Sequence, residues 1–173
     1  EPEPHCGNRK ILWPRGKTLG GSSSINGQVY IRGNAWDYDH CASLGNEGWS
    51  YKDVLPLFRK SENCESGADA FNGQGGGLNV AEHRSTNVLS HAFVQAAQQA
   101  GYPLTPDFNG AQQEGVNFYK AMQKGGERCS NARAFLREAE ARKNLTVITG
   151  ALATRVLFEG KRAVGVRYYA NGL

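Results

Sequence analysis

Apolar residues in this 173-residue chain fall into short periodic runs separated by long polar, glycine-rich stretches. Val54, Leu55 and Phe58 share one face at helical spacing, which predicts a helix over Ser50–Glu62. Ser50 is a candidate N-cap there, with Asp53 three residues on as a weak capping box. Leu89, Ala92, Phe93, Ala96 and Ala100 predict an amphipathic helix over 88–100, apolar side inward and ended by Gly101. A third helix is expected over 131–142. Runs of β-formers predict strands at 78–81, 115–122, 145–149, 154–158 and 163–169, the last two joined as a hairpin through Glu159-Gly160-Lys161-Arg162. Residues 63–77 read as a polar loop. The first 50 residues have no sustained periodicity and read as extended chain with one short helix from Ser23 to Tyr30. The sum is a mixed α/β (α+β) chain without internal repeats.

Composition narrows the function classes. The chain carries 22 glycines, 39% apolar residues and a net charge of +4. The length could bury a sizeable core, and the composition fits a chain rich in loops that wrap a ligand. The 20 Lys and Arg are scattered, so no basic tract points to nucleic acid. No apolar stretch reaches the roughly 18 residues of a membrane span. Cys6, Cys41, Cys64 and Cys129 show neither a C-x-x-C nor a zinc-like spacing, and read as free thiols in a reducing compartment. No metal site is expected. Trp13, Trp36 and Trp49 are expected to pack, and neither His83 nor His91 has a neighbour in sequence that would tune it as a base.

The candidate chemistry lies between Arg15 and Arg32. Gly20-Gly21 lets the backbone turn with positive φ and approach a ligand closely. Ser22, Ser23 and Ser24 are each able to cap a helix starting near Ile25, which would offer free N–H groups to an anion. Asn26 brings an amide that donates and accepts. The pattern suits a phosphate or cofactor, and equally a Gly/Ser-rich surface loop. Gly16-Lys17-Thr18 is not a P-loop, because that motif needs glycine where Ile11 stands.

The order Gly16-Lys17-x-Leu19-Gly20-Gly21-Ser22-Ser23-x-Ile25-Asn26, followed by Tyr30, Gly33 and Asp39, resembles the first signature of the glucose–methanol–choline oxidoreductases. These flavoenzymes oxidise alcohols. The similarity runs on through Pro2-Glu3-Pro4-His5, Gly48-Trp49-Ser50-Tyr51, Ala100-Gly101-Tyr102-Pro103, Asp107-Phe108-Asn109-Gly110-x-Gln112-Gln113-Glu114-Gly115 and Asn144-Leu145-Thr146-Val147, toward the choline and alcohol dehydrogenase branch. The resemblance implies part of an FAD-binding Rossmann-like domain plus part of a substrate-binding antiparallel-sheet domain. Residues 1–62 would cover the FAD and carry the signature. Residues 63–143 would belong to the substrate domain, and 144–173 would return to the FAD domain.

It also implies a site. Gly20, Gly21, Ser22, Ser23, Asn26, Gly27 and Val29 would face the pyrophosphate, ribityl chain or flavin ring, and Ala153 the adenine edge. Ile25 stands where some relatives carry a histidine bonded covalently to the flavin, so noncovalent FAD is expected. The implied reaction takes choline or another primary alcohol to its aldehyde, with hydride passing to flavin N5 and oxygen or a quinone as acceptor. A cytoplasmic protein, or one peripheral at an inner membrane, would follow. Two parts of the family pattern have no counterpart here, the opening G-x-G-x-x-G unit and the proton-accepting histidine. The chain is therefore expected to be an internal piece of a longer enzyme, inactive alone. The competing expectation is a truncated product that binds no flavin.

Overall fold

The computed structural model describes residues 2–170, so residue 1 and residues 171–173 of the segments named above lie outside it. The described chain mixes helices with short strands, as the periodicity predicts, and divides into two compact units, with the boundary in the chain between Glu138 and Ala139.

In the first unit, β1 (Pro2–Glu3) and β2 (Arg9–Lys10) form a small antiparallel ladder. Helix α1 (Ala35–Ser43) is absent from the sequence-based expectations. Its start is nevertheless written locally. Asn34 Oδ1 accepts from the Trp36 N–H (2.9 Å), and the Asn34 N–H donates back to Asp37 Oδ2 (2.8 Å). That is a capping box in an Asn-x-x-Asp spelling. Helix α2 (Tyr51–Ser61) forms where expected, with Val54 buried. Its start differs in detail. The Ser50 hydroxyl donates to the Asp53 carboxylate, and the Tyr51 N–H is taken instead by Asp39 Oδ1 of α1 (2.9 Å).

Helix α2 runs straight into β3 (Glu62–Cys64), which pairs in parallel with β4 (Leu78–Val80). The intervening loop is packed. A Cβ at Gly73 would lie 1.8 Å from the Arg59 carbonyl oxygen, and one at Gly76 would lie 2.3 Å from the Ser61 carbonyl carbon. Only glycine lets this backbone lie against the end of α2.

Helix α3 (Val88–Gln99) is capped by Asn87 Oδ1 on the Leu89 N–H (2.8 Å) and stops at Gly101, whose φ is +94°. The inward face expected for it is corrected. Leu89 and Phe93 are 73% and 70% exposed, and no residue of α3 is buried. Periodicity defines the stripe, but no described element covers it. The expected strand over 115–122 is also corrected to three isolated bridges. Val116 meets Leu104, and Ala121 meets both Val29 and Ala81. A tight hairpin follows, β5 (Gln123–Lys124) and β6 (Glu127–Arg128), turned by Gly125 and Gly126 at φ +61° and +83°. The predicted helix over 131–142 shortens to a π-type turn, Ala132–Leu136, and one α-turn, α4 (Arg137–Ala139).

The core of this unit is small: Tyr30, Leu78, Val80, Cys129 and Ala134, with Met122 against it. Polar groups complete it. Arg32 and Glu62 form an ion pair (2.7 Å) with both side chains almost wholly buried. All four cysteines are free, and Trp13, Trp36 and Trp49 lie largely exposed instead of packed.

The second unit is dominated by one antiparallel hairpin, β7 (Ala151–Glu159) and β8 (Arg162–Ala170), closed at Gly160 with φ +59°. The turn is where the sequence puts it, and the strands are longer than predicted. The strand expected at 145–149 does not form; that segment pairs with no other.

Candidate functional site

The chain turns sharply between Gly16 and Tyr30. Gly20 and Gly21 both adopt the left-handed conformation, at φ +85° and +56°. Their open sides differ. A Cβ on Gly20 would meet Ser24 Oγ at 2.5 Å and the Ala132 nitrogen at 3.2 Å, so this glycine is held against protein. A Cβ on Gly21, or on Gly27, would meet nothing within 4 Å.

The helix expected from Ser23 to Tyr30 is replaced by one 3-10 turn, Gly21–Ser24. The serines cap nothing downstream because their hydroxyls close the turn on itself. The Gly16 N–H donates to Ser22 Oγ (3.1 Å), Ser23 Oγ donates to the Gly20 carbonyl (2.5 Å), and Ser24 Oγ donates to the Leu19 carbonyl (2.8 Å). Gln28 then takes φ +63°, which rules out helix continuation and costs about 1–3 kcal/mol in a non-glycine residue. Surrounding bonds hold it there. The Gln28 N–H donates to Asn26 Oδ1 (3.1 Å), its carbonyl accepts from the Met122 N–H (2.8 Å), and its Oε1 accepts from Gln123 Nε2 (2.7 Å). A helix dipole therefore contributes nothing at this turn, and individual N–H groups take its place.

Gln28 delivers Val29 to its bridge with Ala121. The flanking bonds are made by Gln28 and Tyr30, whose N–H donates to the Lys120 carbonyl (2.9 Å). The N–H groups of Gly27 and Val29 donate to no described residue. Gly21, Ser22, Asn26, Gly27 and Val29 thus sit together on one exposed turn, with Gly20 and Ser23 as its inner supports. Ala153 lies apart in sequence, in the second unit, paired with Tyr168 in the hairpin.

These residues fit a large anionic, hydrogen-bonding cofactor such as FAD. The open sides of Gly21 and Gly27 leave room for a ligand to approach the backbone. The free N–H groups and the Asn26 amide are donors. The arrangement is a surface and not a closed pocket. A cavity of about 290 Å³ is lined by Arg32, Asn34, Tyr51, Phe108 and Gln113 among others, and by none of residues 20–29.

Sequence reasoning missed the frame behind the turn. Asn109 Oδ1 accepts from the Arg32 N–H (2.7 Å), Asn109 Nδ2 donates to the Tyr30 carbonyl (3.2 Å), and Gln113 Nε2 donates to the Arg32 carbonyl (3.0 Å). Two side chains thus do the work of a neighbouring strand. Glu62 Oε2 takes Arg32 Nη2 (2.7 Å) and the Gly73 N–H (2.9 Å). Burial raises the Glu62 carboxyl above its ordinary range, opposed by the Gly73 N–H and by the positive charges of Arg32 and Lys120. Asp107 goes the other way. Burial pushes it up, but hydrogen bonds from the Lys120 ammonium, the Asn109 N–H and the Asn72 amide outweigh that and lower it. The available signal was the run Asp107–Gln113, dense in amides at a site with no helix to cap.

Residues 4–172 match the GMC oxidoreductase family, and the chain belongs to it. It is 54% identical over 171 residues to an oxygen-dependent choline dehydrogenase of Yersinia pseudotuberculosis serotype O:1b (strain IP 31758), covering 97% of this chain and 30% of that relative. Among solved structures it is similar to pyridoxine 4-oxidase from Mesorbium loti, with TM-score 0.84 and 28% identity, covering 95% of this chain and 33% of the other. It is also similar to an FAD-dependent oxidoreductase from Chaetomium thermophilum, with TM-score 0.82 and 28% identity over 94% of this chain and 30% of the other. The chain thus spans about a third of the length of the proteins it matches. Among the described residues, no helix is long and apolar enough to cross a membrane.

Proposed function

We propose that this chain supplies part of the FAD site of an oxidoreductase acting on the CH–OH group of a small alcohol. The observation that carries the reading is the turn itself: left-handed Gly20 and Gly21, an open face at Gly21 and Gly27, and unspent N–H groups at Gly27 and Val29. Family membership supports it, as does the likeness to a choline dehydrogenase, a pyridoxine 4-oxidase and an FAD-dependent oxidoreductase. Gly21, Ser22, Gly27 and Val29 would present backbone and hydroxyl to the cofactor, Asn26 its amide, and Gly20 and Ser23 would keep the turn rigid. Ala153 would pair its backbone with the adenine edge. Bound FAD supplies the two-electron redox chemistry of alcohol oxidation. Choline is the substrate the 54% identity favours, and oxygen the acceptor, since the relative's own name describes both. Residues 1–62 and 144–173 are assigned to the FAD domain and 63–143 to the substrate domain.

The FAD is held noncovalently, because Ile25 offers no nucleophile to the flavin. Acid or heat denaturation of the full-length holoprotein is expected to release free flavin. Colour that stays with the precipitated protein would place a covalent link on another residue. The 173-residue stretch by itself is expected to turn over neither choline nor a primary alcohol with a dye acceptor, since the family's proton-accepting histidine has no counterpart among its residues. Turnover by this stretch alone would overturn that assignment.

A further inference from the structure

The amide of Asn26 is fixed by a residue 102 positions away. Its Oδ1 accepts from the Gln28 N–H (3.1 Å) and from Arg128 Nη1 (2.9 Å). Both partners can only donate, so the opposite flip would set an NH2 group against two donors. The chemistry of the partners therefore decides which way the amide faces, and Nδ2 is left donating to no described residue. The same guanidinium nitrogen also donates to the Ser23 carbonyl (3.1 Å), while the Asn131 N–H donates to Ser23 Oγ (2.9 Å). Arg128 ends the tight β5–β6 hairpin. The other strand of that hairpin holds Gln28 through Gln123. One two-stranded brace thus grips the turn at Ser23, Asn26 and Gln28.

We propose that Arg128 is a positioning residue for the cofactor. It holds the Asn26 amide with Nδ2 left to donate to FAD, and it sets the turn before the ligand arrives. The inference rests on the assignment of residues 20–29 to the FAD site. Arg128 acts through Asn26 and Ser23, so its contribution is preorganisation, which removes an ordering cost from binding.

The test is a double-mutant cycle in the full-length protein, stripped of flavin and titrated with FAD by fluorescence quenching. Melting curves are taken without FAD alongside. Asn26→Ala is expected to weaken FAD binding about tenfold, the scale of one lost hydrogen bond. Arg128→Ala should weaken it by a similar factor, and the double variant no further than either single one. Arg128→Lys keeps a donor in reach and should recover most of the loss. Should Arg128→Ala fail to fold, Arg128→Met, which keeps the apolar stem and removes the donors, takes its place in the cycle. Losses that multiply in the double variant, or wild-type affinity in both Arg128 variants while Asn26→Ala binds weakly, overturn the positioning role alone. Wild-type affinity in Asn26→Ala overturns the placement of Asn26 in the site itself.

Discussion

Two glycine-rich stretches of this chain look alike in sequence and do opposite things. The turn over 16–29 and the loop over 65–77 are both polar and both carry several glycines. In the loop, Gly73 and Gly76 are glycine because backbone presses on them: any Cβ would enter the carbonyls of Arg59 and Ser61. In the turn, Gly21 and Gly27 face open space, and Gly21 is glycine only for its positive φ and for whatever approaches from outside. Gly16 and Gly20 show the first kind of packing inside the same turn, against Gly21 and Ser24. Glycine density therefore marks close approach without saying whether protein or ligand does the approaching.

The largest expected effect breaks the packed loop. Gly73→Ala puts a methyl 1.8 Å from a backbone oxygen that cannot move without unwinding the end of α2. It should cost more than about 3 kcal/mol, beyond ordinary overpacking. A melting temperature within a few degrees of the parent would show that the loop is not packed as described.

Gly21→Val tests the other half of the comparison. The left-handed φ penalises the variant by about 1–3 kcal/mol, but its Cβ would meet nothing within 4 Å beyond its chain neighbours. It should fold and lose flavin, read as flavin absorbance per protein beside a melting curve without FAD. Full flavin occupancy would mean that the turn does not face the cofactor.

The smallest effect sharpens the frame behind both. Lys120 and hydrogen bonds hold Asp107 below its ordinary pKa in the folded state. Its stabilisation is therefore fully present above the unfolded value near 4 and is lost as pH falls through the lower folded value. Asp107→Asn should cost about 1–2 kcal/mol at neutral pH for a mostly buried pair. Stability curves of the variant and the parent should converge below about pH 4. A gap that stays constant from pH 7 to 3 would refute the Asp107–Lys120 contribution.

Local sequence determined a good deal of this protein. Helical spacing of Val54, Leu55 and Phe58 defines α2, and Gly160 closes the β7–β8 hairpin, because these elements need only neighbours along the chain. The Gly16–Asn26 signature marks the candidate site and the family. Helix α1 was also legible in the Asn34/Asp37 capping box, though its weak apolar periodicity hid it. Other features were decided only in three dimensions. Leu89 and Phe93 form the stripe expected of α3 but remain exposed, since a helix cannot specify what covers it. The serines at 22–24 read as helix caps, yet their hydroxyls bond with Gly16, Leu19 and Gly20, and Gln28 turns the chain left-handed before a helix can follow. Arg32 with Glu62, Asn109 with Tyr30, and Arg128 with Asn26 are far apart in sequence. For the first two pairs, a buried charge or amide finds its partner when the fold removes water and leaves that partner within reach; the third is exposed and depends on where the β5–β6 hairpin lies.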